Sequence, residues 1–295
     1  MNAPEVSIIL PTQGVRSSLV AALRSALAQA GVSLEVVVVD DAPPGSEWRG
    51  GHLLTTLLAD PRVRVVPFQQ ARGCAAAKNA GLRAARGAWV CYLDDDNEYE
   101  PGKVRAQREL AVTTGSPVVL CGMQIRVAGR RRYRQIGVAA FAGDALLLDA
   151  LADTNTLFHQ RETGVWWDET LGTVDDACFF QALTTRADLS SVPNVPAPLV
   201  IYHAHPGARA NRDFERFYRG QRCLWARWSQ RYSAPARRIL LRRSLVAFTK
   251  YRAGHWCEWA TLGVALVRAG GWREWRLVAN AAGVKLPLIR RWLVT

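Results

Sequence analysis

The sequence has no apolar run long enough to cross a bilayer. Its nearest approach, Trp259 to Val267, is about half of the ~18 residues a spanning helix needs. The six cysteines, at 74, 91, 121, 178, 223 and 257, show no C-x-x-C spacing and are too sparse for a disulfide scaffold, so a reduced, cytoplasmic protein is expected. Met1-Asn-Ala-Pro-Glu-Val lacks a basic stretch followed by an apolar one, so no secretory leader is expected. Internal repeats and low-complexity linkers are absent. Acidic residues are scarce in one region only. Residues 201–295 hold 4 Asp+Glu against 19 Lys+Arg, a net of +15, whereas residues 1–200 hold 21 against 19, a net of −2. The +13 of the whole chain therefore belongs to its last third.

With 49% hydrophobic and 21% charged residues the chain can bury a sizeable core, and 295 residues suggest one large domain with an appendage. Val6 to Leu10 and Leu34 to Val39 are short, unalternating apolar runs, the pattern of strands covered on both faces. Between them Leu19, Leu23, Ala26 and Leu27 recur at helical spacing, with Ser17 or Ser18 as cap. The alternation continues with a helix over 51–59, a strand over 63–67, a helix over 74–85, a strand over 88–93, a helix over 103–113 and a strand over 117–123, which predicts a parallel, doubly wound sheet. An arginine-rich hairpin or excursion is expected over 128–141, a helix over 144–152, and short strands at Val165–Asp168 and Leu199–His203. Past Asp213, aromatic residues recur at helical spacing with arginines between them. Further helices are expected over 235–252, 256–269 and 272–282.

Carboxylates cluster where strands end, at Asp40-Asp41 and Asp94-Asp95-Asp96, and ligands of open α/β sheets bind beyond the carboxyl ends of strands. In an extended segment Asp94 and Asp96 share a face and can chelate one hard divalent cation. A solvated loop with capping aspartates is the competing reading.

Four blocks occur in order: Val6-Ser-Ile-Ile-Leu-Pro-Thr, Glu35-Val-Val-Val-Val-Asp-Asp-Ala, Arg72-Gly-Cys-Ala-Ala-Ala-Lys-Asn-Ala-Gly-Leu and Gly87-Ala-Trp-Val-Cys-Tyr-Leu-Asp-Asp-Asp-Asn. Over about residues 5–210 the chain resembles the family 2 glycosyltransferases, inverting nucleotide-sugar enzymes with the GT-A fold. The resemblance implies an α/β, GT-A-type, doubly wound, mostly parallel sheet flanked by helices over residues 1–212, to which composition and helical spacing add a basic, Trp-rich, α-helical extension over 213–295. By position it makes Pro11, Thr12, Asp40, Asp41, Gly73, Lys78, Asn79, Asp94 and Asp95 donor-nucleotide residues. At Lys78 the family usually has arginine; lysine keeps the charge without the planar fork. Gly164-Val-Trp-Trp-Asp-Glu-Thr-Leu followed by Asp175-Asp176 looks like the family's catalytic block. Asp176 then matches the base and Asp175 stands where Glu is usual; a helix N-cap pair is the competing reading, and the two are compatible with each other. Asp168 and Glu169 are expected to order this loop. Tyr202-His-Ala-His-Pro-Gly resembles the family's Tyr-Arg-x-His-Pro-Gly, which makes His205, with Asp94 and Asp96, a metal ligand for Mn2+ or Mg2+.

The implied activity is transfer of a sugar from a nucleoside-diphosphate donor, UDP by family frequency, to a hydroxyl of a glycan, lipid-linked or other acceptor in surface polysaccharide, lipopolysaccharide or other glycoconjugate synthesis. This is hexosyltransferase-class chemistry in the cytoplasm. A non-catalytic phosphate or nucleic-acid binder on a degenerate transferase domain is the alternative. A nucleotidyltransferase fits less well, because Thr12-Gln-Gly-Val-Arg-Ser is a weak match to its phosphate loop. For the tail three readings stay open: a solvated arginine face with packed tryptophans, a surface for an anionic membrane or acceptor, and, ranking last, nucleic acid. If the tail holds the enzyme peripherally on the inner face of the cytoplasmic membrane, full-length protein should float with anionic liposomes and a version truncated after Asn211 should not. Equal recovery of both would remove the membrane reading.

Overall fold

The computed structural model describes residues 3–14, 17–43, 45–46, 51–127, 130–150, 153–171, 175–204, 214–251, 263–268 and 278, with backbone alone for 214–218 and 245–251. In chain order the elements are β1 (Val6–Thr12), α1 (Leu19–Leu27), β2 (Leu34–Asp40), α2 (Gly51–Leu58), β3 (Val63–Pro67), α3 (Cys74–Ala84), β4 (Trp89–Tyr92), β5 (Asn97–Tyr99) and α4 (Lys103–Thr114). There follow β6 (Val118–Val127), β7 (Arg130–Arg134), β8 (Ala140–Ala142), α5 (Ala145–Leu148), β9 (Phe158–Gln160), α6 (Asp175–Arg186), β10 (Ser191–Ala204), α7 (Phe214–Trp228) and α8 (Ala234–Tyr251).

The central sheet is flanked by helices and runs in the order β3-β2-β1-β4-β9-β6-β10-β5, with β7 paired to β6 and β8 to β10. The first four strands are parallel, as are β6 and β10, whereas β9 lies antiparallel between β4 and β6 and joins the two halves. β1 is buried along its whole length because both faces are covered. On one face Leu19, Leu23 and Ala26 of α1, Leu54 of α2 and Val104 and Ala111 of α4 pack with Ile8, Leu10, Val36, Val38, Val119 and Cys121. On the other, α3 lies so close that a Cβ on Gly81 would come within 2.3 Å of Ile9 Cγ2, so only glycine fits at that crossing.

Several elements differ from the expectation. Val165–Asp168 forms no strand, for a reason that belongs to the site. β10 extends over 14 residues rather than five. Its prolines at 193, 196 and 198 disguise it, and the ladder with β6 shifts register around Pro198 because a proline offers no N–H. α5 is a four-residue helix. Ser18 occupies the cap of α1, but its side chain makes no capping bond. The 128–141 excursion contains β7, hydrogen-bonded antiparallel to β6 from Val127↔Arg130 to Met123↔Arg134, followed by β8.

The chain divides into two units, Met1–Thr170 with Asp175–Gly207, and Leu171–Val174 with Ala208–Thr295. Within the second, α7 and α8 pack together, burying Leu224, Trp228, Tyr232, Leu240 and Leu241. That accounts for part of the aromatic stripe as core. Residues 263–268 are helical; the rest of the expected helix 256–269, and all of 272–282 except 278, lie outside the described residues. Among the described residues no helix is long and apolar enough to cross a membrane.

Glu35, at the amino end of β2, is buried and charged. It accepts hydrogen bonds from Ser7 Oγ (2.7 Å), the Arg86 N–H (2.7 Å) and Arg86 Nε (2.9 Å), and Arg64 lies 3.3 Å away. Burial favours the neutral acid, but these donors outweigh it and hold the carboxyl below its ordinary value. A native pKa below the unfolded one contributes stability above the unfolded value, lost as pH falls through the native one. Glu35→Gln is expected to lower stability in urea by about 2 kcal/mol at pH 7. The deficit should shrink below pH ~4, and a pH-independent deficit would refute the charged role.

Candidate active site

β2 and β3 lie on one side of β1 and β4 on the other, so the strand order reverses there and a crevice opens beyond the strand ends. The Leu93 N–H donates to Ile9 O at 2.9 Å. Pro11 comes two residues later on the same edge of β1 and has no N–H to leave unpaired where the strands part. The Thr12 hydroxyl donates to Asp95 Oδ2 at 2.7 Å and accepts the Gly14 N–H at 2.9 Å, tying the end of β1 to the carboxylate segment.

That segment is a turn, closed by the Asn97 N–H on Asp94 O at 3.1 Å, and not the extended stretch expected. The face-sharing argument for Asp94 and Asp96 therefore does not hold; the turn keeps both at the crevice instead. Asn155, fully buried, grips Asp94 from the side. Its Oδ1 accepts the Asp94 N–H (2.8 Å), while its Nδ2 donates to Asp94 Oδ2 (2.9 Å) and Asp153 Oδ1 (2.7 Å). Loss of hydration pushes the Asp94 carboxyl up to about 7, with Lys78 opposing and Asp153 and Asp96 adding to the shift.

Lys78 reaches the same place from α3. Its buried ammonium donates to Thr154 Oγ1 (2.9 Å) and Asp175 Oδ2 (3.4 Å) and stands 4.0 Å from the centre of the Trp167 ring. Burial alone would lower its pKa, but Asp175, Asp94 and Asp176 outweigh that and hold it above the usual lysine range. Asp175 and Asp176 open α6, where carboxylates suit the positive end of the helix dipole. Asp176 Oδ1 accepts the Ala177 N–H at 2.8 Å. Burial, Asp175 and Asp153 together push its carboxyl upward.

The other expected donor residues divide by task. Asp40 Oδ1 accepts the Ala42 N–H at 3.0 Å and so shapes the bend after β2. Asp41 accepts the N–H groups of Arg72 (2.6 Å) and Gly73 (3.0 Å), capping α3 from another strand. Gly73 holds φ 93°, a conformation that favours glycine. Asn79 is buried against the loop that carries Trp167 and Glu169. Its Nδ2 donates to Trp167 O (3.0 Å) and Glu169 Oε1 (2.9 Å), and its Oδ1 accepts the Trp167 N–H (2.9 Å). One side-chain amide thus takes both main-chain groups of Trp167, which a neighbouring strand would otherwise have bonded. Glu169 also pairs with Arg72 at 3.1 Å, and Asp168 Oδ1 accepts the Thr170 N–H at 3.1 Å, so both order the loop as expected.

Behind the loop Trp167 stacks on Phe179 at 4.1 Å, and Tyr92 and His159 complete an aromatic floor. Burial lowers His159 to about 4, so it is neutral; Nδ1–H donates to Gln160 O and Nε2 accepts the Tyr92 hydroxyl.

The crevice therefore gathers Thr12, Lys78, Asp94, Asp95, Asp96, Asp175 and Asp176, with Asp40, Asp41, Gly73 and Asn79 shaping its loops. His205 lies outside the described residues. Asp153, Thr154, Asn155 and Trp167 escaped the sequence reading. The alternation of short polar residues in Asp153-Thr-Asn-Thr, the composition of an Asx turn, was the available signal. Among the described residues no three Asp, Glu, His or Cys side chains converge as a ready-made metal cage. Even so, the carboxyls of Asp94, Asp153, Asp175 and Asp176 surround the single ammonium of Lys78, and that surplus of hard oxygen donors fits a divalent cation held by Asp94 and Asp96 with phosphate and water oxygens.

The glycosyl transferase family 2 model matches residues 7–181. The succinoglycan biosynthesis protein ExoO of Rhizobium meliloti is 34% identical over 54% of this chain and 45% of its own length. A UDP-Glc:alpha-D-GlcNAc-diphosphoundecaprenol beta-1,3-glucosyltransferase of Escherichia coli, WfaP, is 26% identical over 35% of this chain and 39% of its own. The chain spans less than half the length of these relatives. The S. aureus TarS 1–349 structure in complex with UDP-GlcNAc superposes with a TM-score of 0.70 at 17% identity, over 95% of this chain and 88% of that one, so the fold is shared.

Asn79→Ala should leave the buried N–H and C=O of Trp167 unpaired and cost about 2–4 kcal/mol in a denaturant titration. Asn79→Asp sets a carboxylate against Trp167 O and Glu169. It should be at least as destabilised at pH 7 and recover part of the loss as pH falls through the carboxylate range; wild-type stability in both would refute the assignment.

Proposed function

The chain belongs to glycosyl transferase family 2, and on that premise we propose that it transfers a sugar from a nucleoside-diphosphate donor, UDP first among them, to an acceptor hydroxyl in bacterial polysaccharide or related glycoconjugate synthesis, with inversion at the anomeric carbon. The observation that carries this reading is the crevice itself. A carboxylate turn at the strand switch point faces, across one buried lysine, a paired Asp at the start of α6. The names of ExoO and WfaP support the polysaccharide setting, and the UDP-GlcNAc bound in the TarS structure supports the donor class.

The donor's base and ribose lie against Thr12 and Asp40 in this proposal, with its diphosphate toward the Asp94–Asp96 turn. Asp94 and Asp96 would hold Mn2+ or Mg2+, which when bound neutralises charge on the departing diphosphate. Asp176 accepts the acceptor's proton as that oxygen attacks the anomeric carbon from the face opposite the leaving group. Surroundings that raise its pKa make it a stronger base than an exposed aspartate. Lys78 keeps Asp175 engaged, so that of the pair Asp176 is left to receive the proton. Trp167 and the aromatic floor keep water from this side of the loop. A non-catalytic phosphate binder finds less support, because paired carboxyls repel phosphate without a cation between them.

Incubation with a panel of nucleotide sugars, with and without Mn2+, should give metal-dependent release of nucleoside diphosphate from at least one donor. None from any donor would sink the proposal. Asp176→Asn should lower kcat by roughly 10²–10⁴ while donor affinity stays within about threefold. For wild type the rate should rise with pH through the raised Asp176 pKa, since only the ionised base accepts a proton. In the Asn variant that limb should disappear.

A further inference from the structure

The β6–β7 hairpin has no part in the site as described, yet β7 reads Arg130-Arg-Arg-Tyr-Arg134 and every residue of it is exposed. Among the described residues none of its arginines has a carboxylate partner. The hairpin continues β6 beyond the same end of the sheet as the carboxyl end of β4, where the crevice lies. Cys91 and Val119 both lie opposite Phe158, which puts Gly122 level with Asp94, so Arg126 stands roughly 13 Å farther along the strand direction.

Register decides which side chains face the active site. Val118 pairs with His159, whose ring belongs to the aromatic floor under Trp167, so the even-numbered residues of β6 share that face. Gln124 and Arg126 are therefore on the active-site face, and their partners Tyr133 and Arg131 lie beside them. Gln124 is 6% exposed, and its Nε2 is buried with no acceptor; Arg126 Nε is likewise buried and unpartnered. Glu98, on β5 and separated from β6 by β10, is engaged by His203 of β10 at 2.7 Å.

We propose that Gln124, Arg126 and Arg131 form an anion subsite that holds a phosphate group of the acceptor. The proposal rests on the transferase reading above and extends it from reaction to acceptor class. Guanidinium forks and an amide N–H, all donors, match phosphate oxygens. Gln124 Nε2 and Arg126 Nε lie beneath the surface, and rotation of these side chains toward Arg131 is what brings them to a discrete phosphate, whereas the flat headgroup layer of a membrane meets only the exposed arginines. The position fits an acceptor whose hydroxyl sits at Asp176 and whose phosphate lies outward along the hairpin. Arg130, Arg132 and Arg134 occupy the opposite face and are not part of the subsite.

The test is titration of the full chain with inorganic pyrophosphate by calorimetry, with and without saturating UDP to fill the donor's own diphosphate site. Wild type should bind with UDP present. Arg126→Gln/Arg131→Gln should weaken that binding roughly tenfold or more, as should the exposed single change Arg131→Gln in lesser degree, while UDP affinity and the melting temperature stay unchanged. Arg130→Gln/Arg132→Gln should bind as wild type does. Pyrophosphate binding that is absent in wild type, or equal in all variants, overturns the subsite. So does loss of flotation with phosphatidylglycerol vesicles in the Arg126/Arg131 variant at undiminished pyrophosphate affinity, which would assign the hairpin to a membrane. If UDP does not bind at all, the donor reading falls, and the titration without UDP still decides the hairpin.

Discussion

The ammonium of Lys78 has to satisfy chain segments that arrive from three separate regions of the sequence: the turn at Thr154, the start of α6 at Asp175, and the loop that presents Trp167. A buried cation is tolerated only where negative charge surrounds it, and buried carboxylates are tolerated only where something positive lies among them. Each condition meets the other at this point. The geometry of the crevice follows from that mutual requirement, because removing either sign would leave the other without compensation in a site of low hydration.

Around this centre, position and chemistry are assigned to different side chains. Asp41 and Asn79 spend their hydrogen-bonding capacity on backbone, Asp41 at the start of α3 and Asn79 on Trp167. Glu169 and Arg72 fasten the same loop to α3's entry. None of these needs to touch a substrate to matter, since each fixes the angle at which a carboxylate or an ammonium enters the crevice. The crevice carboxyls raised above their ordinary value, Asp94, Asp153 and Asp176, owe it first to burial, with neighbouring carboxylates adding to the shift and Lys78 opposing it. Perturbed titration and the mouth of the sheet coincide, as they do at functional sites generally.

The parallel half of the sheet was legible because burial on both faces writes itself as uninterrupted runs, Val6 to Leu10 and Leu34 to Val39, with a helical stripe between them. β5 and β9 were not, since three residues are too few to carry a period. β10 was hidden by its prolines. At Val165–Asp168 the expected strand is missing, and the Trp167 main chain is paired instead by an asparagine side chain that no local pattern announces. In the site, adjacent carboxylates such as Asp94-Asp95-Asp96 and Asp175-Asp176 stand out by themselves, whereas Asn155 acquires its importance only from a contact 61 residues away. Contacts of that separation are set by topology, and topology is what a single sequence states least directly.

The insertion of β9 has a bearing on how the molecule comes into being. β4 and β6 both precede it in the chain, yet neither bonds to the other; each waits for Phe158–Gln160 to fill the gap. Long-range closures of this kind are slow to form and come late. Asn155 lies three residues before that strand, so the residue that grips Asp94 is delivered by the same event that joins the two halves. A nascent chain that has made only its first 150 residues can build the β1–β4 half and its helices but holds no assembled crevice. The joining of the two halves and the seating of Asp94 are one step.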